Sequence, residues 1–143
     1  MNTVGATWRL TQPADNGVLW LAAAEVDALC AAGDAAGLHC MRVVLGDLDG
    51  KAALLERLAD ALAFPDWFGH NWDALADCLG DLSWLPASGY LLVLEDCRRF
   101  ARRSPGDYGI LLEILADAAG TWRARAVPFR VFLSMAAPHG PLA

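Results

Sequence analysis

Recognisable enzyme motifs are missing from this sequence of 143 residues. It has no Gly-x-Ser-x-Gly nucleophile elbow, no His-Glu-x-x-His zinc motif and no phosphate-binding loop, for which residues 46–51 are too few. A calcium-loop-like start at Asp47 fails because Lys51 and Leu58 stand where oxygen ligands are needed. Metal-ligand spacing is also missing from the histidines, which are His39, His70 and His139. We therefore expect no catalysis, no metal and no cofactor.

Cysteine pairs of the Cys-x-x-Cys type are missing as well. The four cysteines are far apart in the sequence, at Cys30, Cys40, Cys78 and Cys97. A close pair is the usual signal of a zinc or dithiol redox site. We predict buried, reduced thiols, as is common in cytosolic proteins.

Signals for export or membrane insertion are equally scarce. No basic residue precedes Arg9, and the longest apolar stretch, residues 18–24, is far shorter than the roughly 20 residues that span a bilayer. We expect a cytoplasmic protein that contacts no membrane.

Positive charge is absent from a long central part of the chain. Between Leu58 and Cys97 there is no Lys or Arg but there are seven acidic residues, and the formal net charge of the chain is -6. Binding to nucleic acid depends largely on neutralising phosphates, so we expect no direct nucleic-acid ligand. An acidic surface suits a basic protein partner.

The pattern of apolar residues predicts an α/β fold. Three runs have strand character, residues 41–45, 90–94 and 129–133, and the second is continuously apolar, as in a strand buried on both faces. Helical crossovers, and no tight turns, separate these runs. We therefore predict parallel neighbours in a small, largely parallel sheet of three or four strands, packed against several α-helices.

Helices are predicted between these strands. The first has Asp49 as its N-cap and runs to about Ala63, and the second begins at Asn71 and ends near Asp81. A basic segment at residues 98–103 and a break at residues 104–106 precede a long amphipathic helix over about residues 107–123.

The remaining residues are expected to complete one domain over residues 1–143, with a core at residues 40–135. Residues 1–39 form an N-terminal extension that is predicted to add a strand and a helix, since it is too apolar to remain disordered. Residues 6–10 and 18–21 are predicted to form a strand or the two arms of a hairpin, and residues 25–36 are predicted to form the helix. The end from Pro138 is expected to fray.

Three aspartates lie four residues apart on the helix predicted at residues 71–81, namely Asp73, Asp77 and Asp81. Their carboxylates share one face, opposite the apolar stripe, and like charges at this spacing each cost a helix roughly 0.2–0.5 kcal/mol. The face is either a solvated surface that aids solubility or a field that attracts a cationic cleft. The small residues Ala76 and Gly80 on the same side would allow a partner to approach closely.

Residues 65–79 read Pro-Asp-Trp-Phe-Gly-His-Asn-Trp-Asp-Ala-Leu-Ala-Asp-Cys-Leu. The segment resembles the signature of the barstar family, Pro-x-aromatic-aromatic-Gly-x-Asn-x-Asp-Ala-Leu-x-Asp-x-Leu, and weaker similarity extends over about residues 40–134. The resemblance implies an intracellular inhibitor or immunity protein. Its helix at residues 71–81 would plug the active site of a basic, extracellular-type ribonuclease or a similar toxin.

The resemblance also implies roles for individual residues. Asp77 would occupy the phosphate pocket of the ribonuclease, Asp73 would pair with basic residues beside it, and Asp117 on the last helix would add a peripheral charge pair. Trp67 and Asn71 would lie at or next to the contact. The best-known family member has a bulky aromatic at the position of Ala76 and a phenol at that of Trp67, so the partner surface is expected to differ. The predicted partner-binding residues are Trp67, Asn71, Asp73, Ala76, Asp77, Gly80 and Asp117.

Two alternatives to a ribonuclease inhibitor stay open. One is a regulatory module with the same fold and a different protein partner. The other is an enzyme that uses Asp73 and Asp77 as general acid and base, which ranks lower because an exposed helix face does not supply the desolvation that such pairs need. We expect a monomer.

Overall fold

The computed structural model describes residues 9–136, which form a four-stranded parallel sheet with helices on both faces. The strands are β1 Gly17–Trp20, β2 His39–Val44, β3 Tyr90–Glu95 and β4 Phe129–Leu133. Their order across the sheet is β1-β4-β3-β2, and each neighbouring pair is parallel. The predicted α/β fold is confirmed, as is the parallel arrangement of the strands near Met41, Tyr90 and Phe129.

Five α-helices connect these strands. They are α1 Val26–Ala35, α2 Gly50–Ala61, α3 Trp72–Asp81, α4 Arg98–Arg103 and α5 Pro105–Ala124. Single 3-10 turns occur at Pro13–Asp15 and Ala23–Glu25. None of the helices within residues 9–136 is both long and apolar enough to cross a membrane.

Alternate residues of the central strands point into two separate apolar layers. Leu92 and Leu94 of β3 pack in the larger layer, which also contains the buried leucines of α2, α3 and α5. Leu91 and Val93 of the same strand pack against α1 on the opposite side. Because side chains alternate along a strand, β3 is buried on both faces, which explains its continuously apolar sequence.

The N-terminal part is attached through β1, which lies beside β4 at one edge of the sheet. The buried Asn16 side chain fixes this attachment, since its amide donates to the carbonyl oxygens of Ala119, at 3.2 Å, and Val127, at 2.9 Å. Its Oδ1 accepts from the backbone N–H of Phe129 at 2.8 Å. A buried amide therefore joins three segments that are more than 100 residues away in sequence.

Several predicted boundaries differ from the structure. Strand β2 begins at His39, two residues before the predicted start, and the helix predicted to reach Ala63 ends at Ala61. Of the two alternatives for residues 6–10 and 18–21, a strand or a hairpin, the described residues have the strand, because β1 pairs with β4 and Arg9 and Leu10 lie in no strand. Residues 6–8, His139 and the end from Pro138 lie outside the described residues.

The local chemistry of two helix starts also differs from prediction. Asp49 occupies the N-cap position of α2, but its side chain does not accept a cap hydrogen bond and instead pairs with arginines of α4. The expected break at residues 104–106 is narrower, because Pro105 is the first residue of α5. Proline is well suited to a first helical position, where its missing N–H would have had no helical partner.

Candidate functional site

Helix α3 begins at a side-chain cap, as the sequence predicts. The Oδ1 atom of Asn71 accepts a hydrogen bond from the backbone N–H of Ala74 at 2.8 Å, and Asn71 itself has extended backbone angles. The amide nitrogen of Asn71 lies 3.4 Å from the carbonyl oxygen of Gly69. The Asn71 side chain is therefore occupied in fixing the start of the helix.

The other end of α3 is held by residues of α5 and of the turn after it. The indole N–H of Trp122 donates to the carbonyl oxygen of Leu79 at 2.7 Å, and a guanidinium N–H of Arg125 donates to that of Gly80. The Arg125 guanidinium also lies over the Trp122 ring, 4.8 Å from its centroid. These donors satisfy carbonyl groups that a helix leaves free in its last turn, and they place a positive charge at the negative end of the helix dipole.

One face of α3 faces the core, as the apolar stripe predicts. Leu75, Cys78 and Leu79 are buried in the larger apolar layer. Trp72 is only half-buried, and the Lys51 ammonium lies 5.6 Å from the centroid of its ring. Trp72 thus packs against the core edge beside a cation, and the opposite face of the helix remains in solvent.

The solvent face of α3 carries carboxylates that have no cationic partner. Asp73, Asp77 and Asp81 are exposed, and among the residues that the structure describes none of them forms a salt bridge. Asp81 accepts only a hydrogen bond from the Ser83 hydroxyl, at 3.2 Å. Four other aspartates of the chain each pair with an arginine, and they are Asp15, Asp27, Asp47 and Asp49.

Fewer acidic residues within residues 58–97 contribute negative charge at the surface than the sequence indicates. The Glu95 carboxylate, only 4% exposed, accepts hydrogen bonds from Arg42 at 2.8 and 3.0 Å. This bidentate contact also keeps the pKa of the Arg42 guanidinium above its usual range. The charge of Glu95 is therefore largely neutralised by Arg42, whereas the three aspartates of α3 have no salt-bridge partner among the described residues.

An aromatic cluster lies just before α3 in the chain. Trp67 is 61% exposed, and its ring meets that of Trp84 edge to face at 6.3 Å. Trp84 in turn donates from its indole N–H to the carbonyl oxygen of Leu62 at 3.0 Å and packs edge to face on Phe64. Phe68 is buried beneath. The cluster holds a large, rigid aromatic side chain in solvent next to the acidic helix.

The other predicted contact residues have different surroundings. Ala76 is exposed between Asp73 and Asp77, whereas Gly80 is half-buried and its carbonyl oxygen is taken by Arg125. Asp117 is exposed on α5, the helix that packs against α3. The structure thus brings an aromatic, an acidic and a small-residue surface together around α3.

The contribution of Trp122 and Arg125 escaped sequence reasoning, as did the Arg42–Glu95 pair. The partners are 43, 45 and 53 residues apart. No local pattern identifies contacts of such separation. The one usable signal was an isolated Arg on the predicted strand at residues 41–45, which needs a partner if the strand is packed.

The described part of the chain offers little for metal or thiol chemistry. No group of three or more His, Cys, Asp or Glu side chains within residues 9–136 is placed to hold a metal ion. All four cysteines are free thiols, and burial raises the pKa of Cys97 to about 12 and that of Cys78 to about 11. A thiol with so high a pKa is a poor nucleophile at neutral pH.

Solved structures with a related shape belong to larger proteins. The ORC2 protein of Aeropyrum pernix, in complexes with ADPNP and ADP, matches 85% of this chain at 12% identity with a TM-score of 0.56. The Drosophila ORC bound to AT-rich DNA and Cdc6 matches 85% at 13% identity with a TM-score of 0.47. The chain spans 35% and 40% of those two chains, respectively. At such identity the first likeness concerns the fold alone.

Sequence comparison points to a single family. No curated protein matches the chain. The family model described as Barstar (barnase inhibitor) matches residues 38–134, a region that contains the capped acidic helix, the aromatic cluster and strands β3 and β4. The chain therefore belongs to the barstar family, a family of inhibitors and not of enzymes.

Proposed function

We propose that this protein is an intracellular inhibitor of a basic, extracellular-type ribonuclease, and that α3 is the element that blocks the active site. The observation that carries the proposal is the pairing pattern of the acidic residues. Arginines pair with four other aspartates, and some exposed aspartates such as Asp34 are unpaired within residues 9–136 as well. Asp73, Asp77 and Asp81 differ in that all three stand on one exposed helix face without a salt bridge to any described residue. Family membership supports the same role.

The acidic face has the charge that a ribonuclease cleft recognises. Such a cleft binds RNA through cationic groups around the scissile phosphate, so a carboxylate can take the place of the phosphate. Asp77 stands at the middle of the face, flanked at one helical turn by Asp73 and Asp81. In the proposed complex Asp77 enters the phosphate pocket, Asp73 pairs beside it, and the field of all three carboxylates speeds association.

The surroundings of α3 are suited to rigid docking. Asn71 and the α5 contacts hold both ends of the helix, so little conformational freedom is lost when a partner binds. Exposed Trp67 supplies an aromatic anchor, and Ala76 leaves room for a partner side chain between the aspartates. Asp117 adds a peripheral charge. Binding is the whole activity in this proposal, which places the protein in the cytoplasm, as a monomer, without nucleic acid, membrane or cofactor.

The test is inhibition of ribonuclease activity on a fluorogenic RNA, with a panel of basic microbial ribonucleases. The wild-type protein should inhibit at least one of them, and Asp77→Ala should weaken this inhibition strongly. Removing one partner of a desolvated, hydrogen-bonded charge pair typically costs ~2–5 kcal/mol, and known carboxylate truncations in the barnase–barstar complex, of this same family, reach about 7–8 kcal/mol.

A matched control separates the acidic face from net charge. Asp34 is exposed on α1, on the opposite side of the sheet, and forms no salt bridge within residues 9–136. Asp34→Ala removes the same charge as Asp77→Ala and should leave inhibition unchanged. An equal loss of inhibition in both variants would show that only the net charge of the protein matters, and not the position of Asp77 on α3. Failure to inhibit any basic ribonuclease, together with capture of another protein through α3, would favour a regulatory module.

A further inference from the structure

Four arginines surround a cavity at the carboxyl edge of the sheet, on the short helix that follows β3. The cavity has a volume of about 390 Å³ and is lined by Asp96, Arg98, Arg99, Arg102 and Arg103. We call it the arginine pocket. Its local charge is positive, although the chain as a whole carries a net charge of -6.

Only half of these arginines have an internal partner. Arg99 and Arg103 both approach the Asp49 carboxylate, at 3.3 and 3.2 Å, and Arg99 also donates to the carbonyl oxygen of Gly46. Arg98 and Arg102 are exposed and form no hydrogen bond or salt bridge through their side chains with any residue from 9 to 136. The pocket therefore already binds one carboxylate and keeps two further guanidinium groups free.

Folding alone does not explain this arrangement. Asp49 offsets the repulsion between Arg99 and Arg103. Arg98 and Arg102 are four residues apart without such a partner within residues 9–136, and like charges at that spacing destabilise a helix. Arg98 and Arg99 also lie in the first turn of α4, where the helix dipole disfavours cations. The dipole favours Arg102 and Arg103 in the last turn, so Arg98 is the arginine that neither a partner among the described residues nor the dipole stabilises.

The wall of the pocket is rigidly built. Asp96 has a positive φ of 56°, a backbone conformation that few residues other than glycine adopt. Its carboxylate packs so closely against Gly46 that a Cβ at position 46 would overlap it. Asp96 directly follows β3, and Gly46 lies two residues after the end of β2, so the pocket lies at the carboxyl ends of parallel strands, the edge where open α/β sheets commonly bind ligands.

We propose that the arginine pocket binds a small phosphate-bearing anion of the pyrophosphate class. Guanidinium groups present planar forks of N–H donors that match phosphate oxygens, and two of those that line this cavity have no partner within residues 9–136. A cavity of about 390 Å³ is large enough for such a ligand. Asp96 and Asp49 oppose the anion, and Asp49 competes with it for Arg99 and Arg103. The ligand would bind apart from α3, so this site does not depend on the inhibitor proposal.

The first test is calorimetric titration of the full chain with inorganic pyrophosphate at constant ionic strength. The wild-type protein should bind saturably, and Arg98→Gln combined with Arg102→Gln should raise the Kd roughly tenfold or more, because two charge-assisted hydrogen bonds are lost. Arg123→Gln is the control, since Arg123 is exposed near the C-terminal end of α5 and contacts the carbonyl oxygen of Asn16. Its Kd should stay close to that of the wild type.

A second pair of variants tests the competition inside the pocket. Asp49→Asn removes the carboxylate that holds Arg99 and Arg103, so it should lower the Kd for pyrophosphate several-fold. Asp47→Asn makes the same charge change two residues away, where the carboxylate pairs with Arg57, and should have a smaller effect. These variants also report whether binding follows geometry or only net charge.

Three results of these titrations would overturn the proposal, and a competing peptide supplies a fourth. The three are no saturable binding of pyrophosphate, an equal loss in Arg123→Gln, and an equal gain in Asp47→Asn and Asp49→Asn. Tighter binding of a hexaglutamate peptide than of pyrophosphate would also overturn it, because the pocket would then serve an acidic protein segment. Thermal melts of each variant without ligand verify that the fold is intact.

Discussion

Neutralising Asp77 should strengthen the fold while it weakens binding. Asp77 lies one turn from both Asp73 and Asp81 on α3, so Asp77→Asn removes two carboxylate repulsions at once. At roughly 0.2–0.5 kcal/mol each, the free energy of unfolding should rise by about 0.4–1 kcal/mol. Asparagine isolates the charge, because Asp and Asn have similar helix propensities.

The neighbouring aspartates provide an internal comparison. Asp73→Asn removes one repulsion but also a favourable contact with the positive end of the helix dipole, so its net effect on stability should be near zero. Asp77 is beyond the first turn and has no such compensation. Both variants remove one negative charge, so the difference between their free energies of unfolding reports the effect of the position of that charge along the helix.

Urea denaturation at low and at high salt is the assay, with thermal melts beside it. For a domain of this size, 1 kcal/mol corresponds to roughly 3–5 °C, so the Tm of Asp77→Asn should rise by about 1–5 °C at low salt. The gain should largely vanish at 1 M salt, where the Debye length is about 3 Å. A loss of stability, or a gain that persists at high salt, would refute the reasoning and make Asp77 a structural residue.

Four further predictions concern the cap of α3, the Arg42–Glu95 pair and the cysteines. Asn71→Ala should cost about 1 kcal/mol of stability because the Ala74 N–H loses its cap, whereas Asn71→Ser should retain most of it in urea melts. Arg42→Ala should lower the free energy of unfolding by about 2–3 kcal/mol, which is less than for a fully buried pair because Arg42 is 40% exposed. Replacing both Arg42 and Glu95 by Leu should recover most of that loss, because no buried charge is then left unpaired. Burial raises the pKa of Cys97 to about 12, so the folded protein favours the neutral thiol. The free energy of unfolding should therefore be independent of this thiol below pH ~9 and should fall as the pH rises from there, by at most ~1.4 kcal/mol per pH unit. Alkylation without reductant should be slow in the folded protein and reach four thiols after unfolding, and a count of two would contradict the reduced state.

Local sequence determined the elements of this protein and the identity of its acidic helix. The run at Phe129–Leu133 forms a strand because it is rich in aromatic and β-branched residues, which suit a strand that is buried on both faces. Asn71 begins α3 and the four-residue spacing of the aspartates defines its solvent face, since a cap and a helical period act within a few residues. The family signature lies in this same segment.

Tertiary structure decided which charges remain available. By sequence Asp49 caps one helix and Asp77 lies within another, yet the fold brings Arg99 and Arg103 to the first and no salt-bridge partner among the described residues to the second. Glu95 is withdrawn from the surface by Arg42, and Arg125 reaches the end of α3 from 45 residues away. Coulomb and hydrogen-bond energies depend on distance in space, and distance in space between residues so far apart along the chain is set only when the sheet and its helices pack.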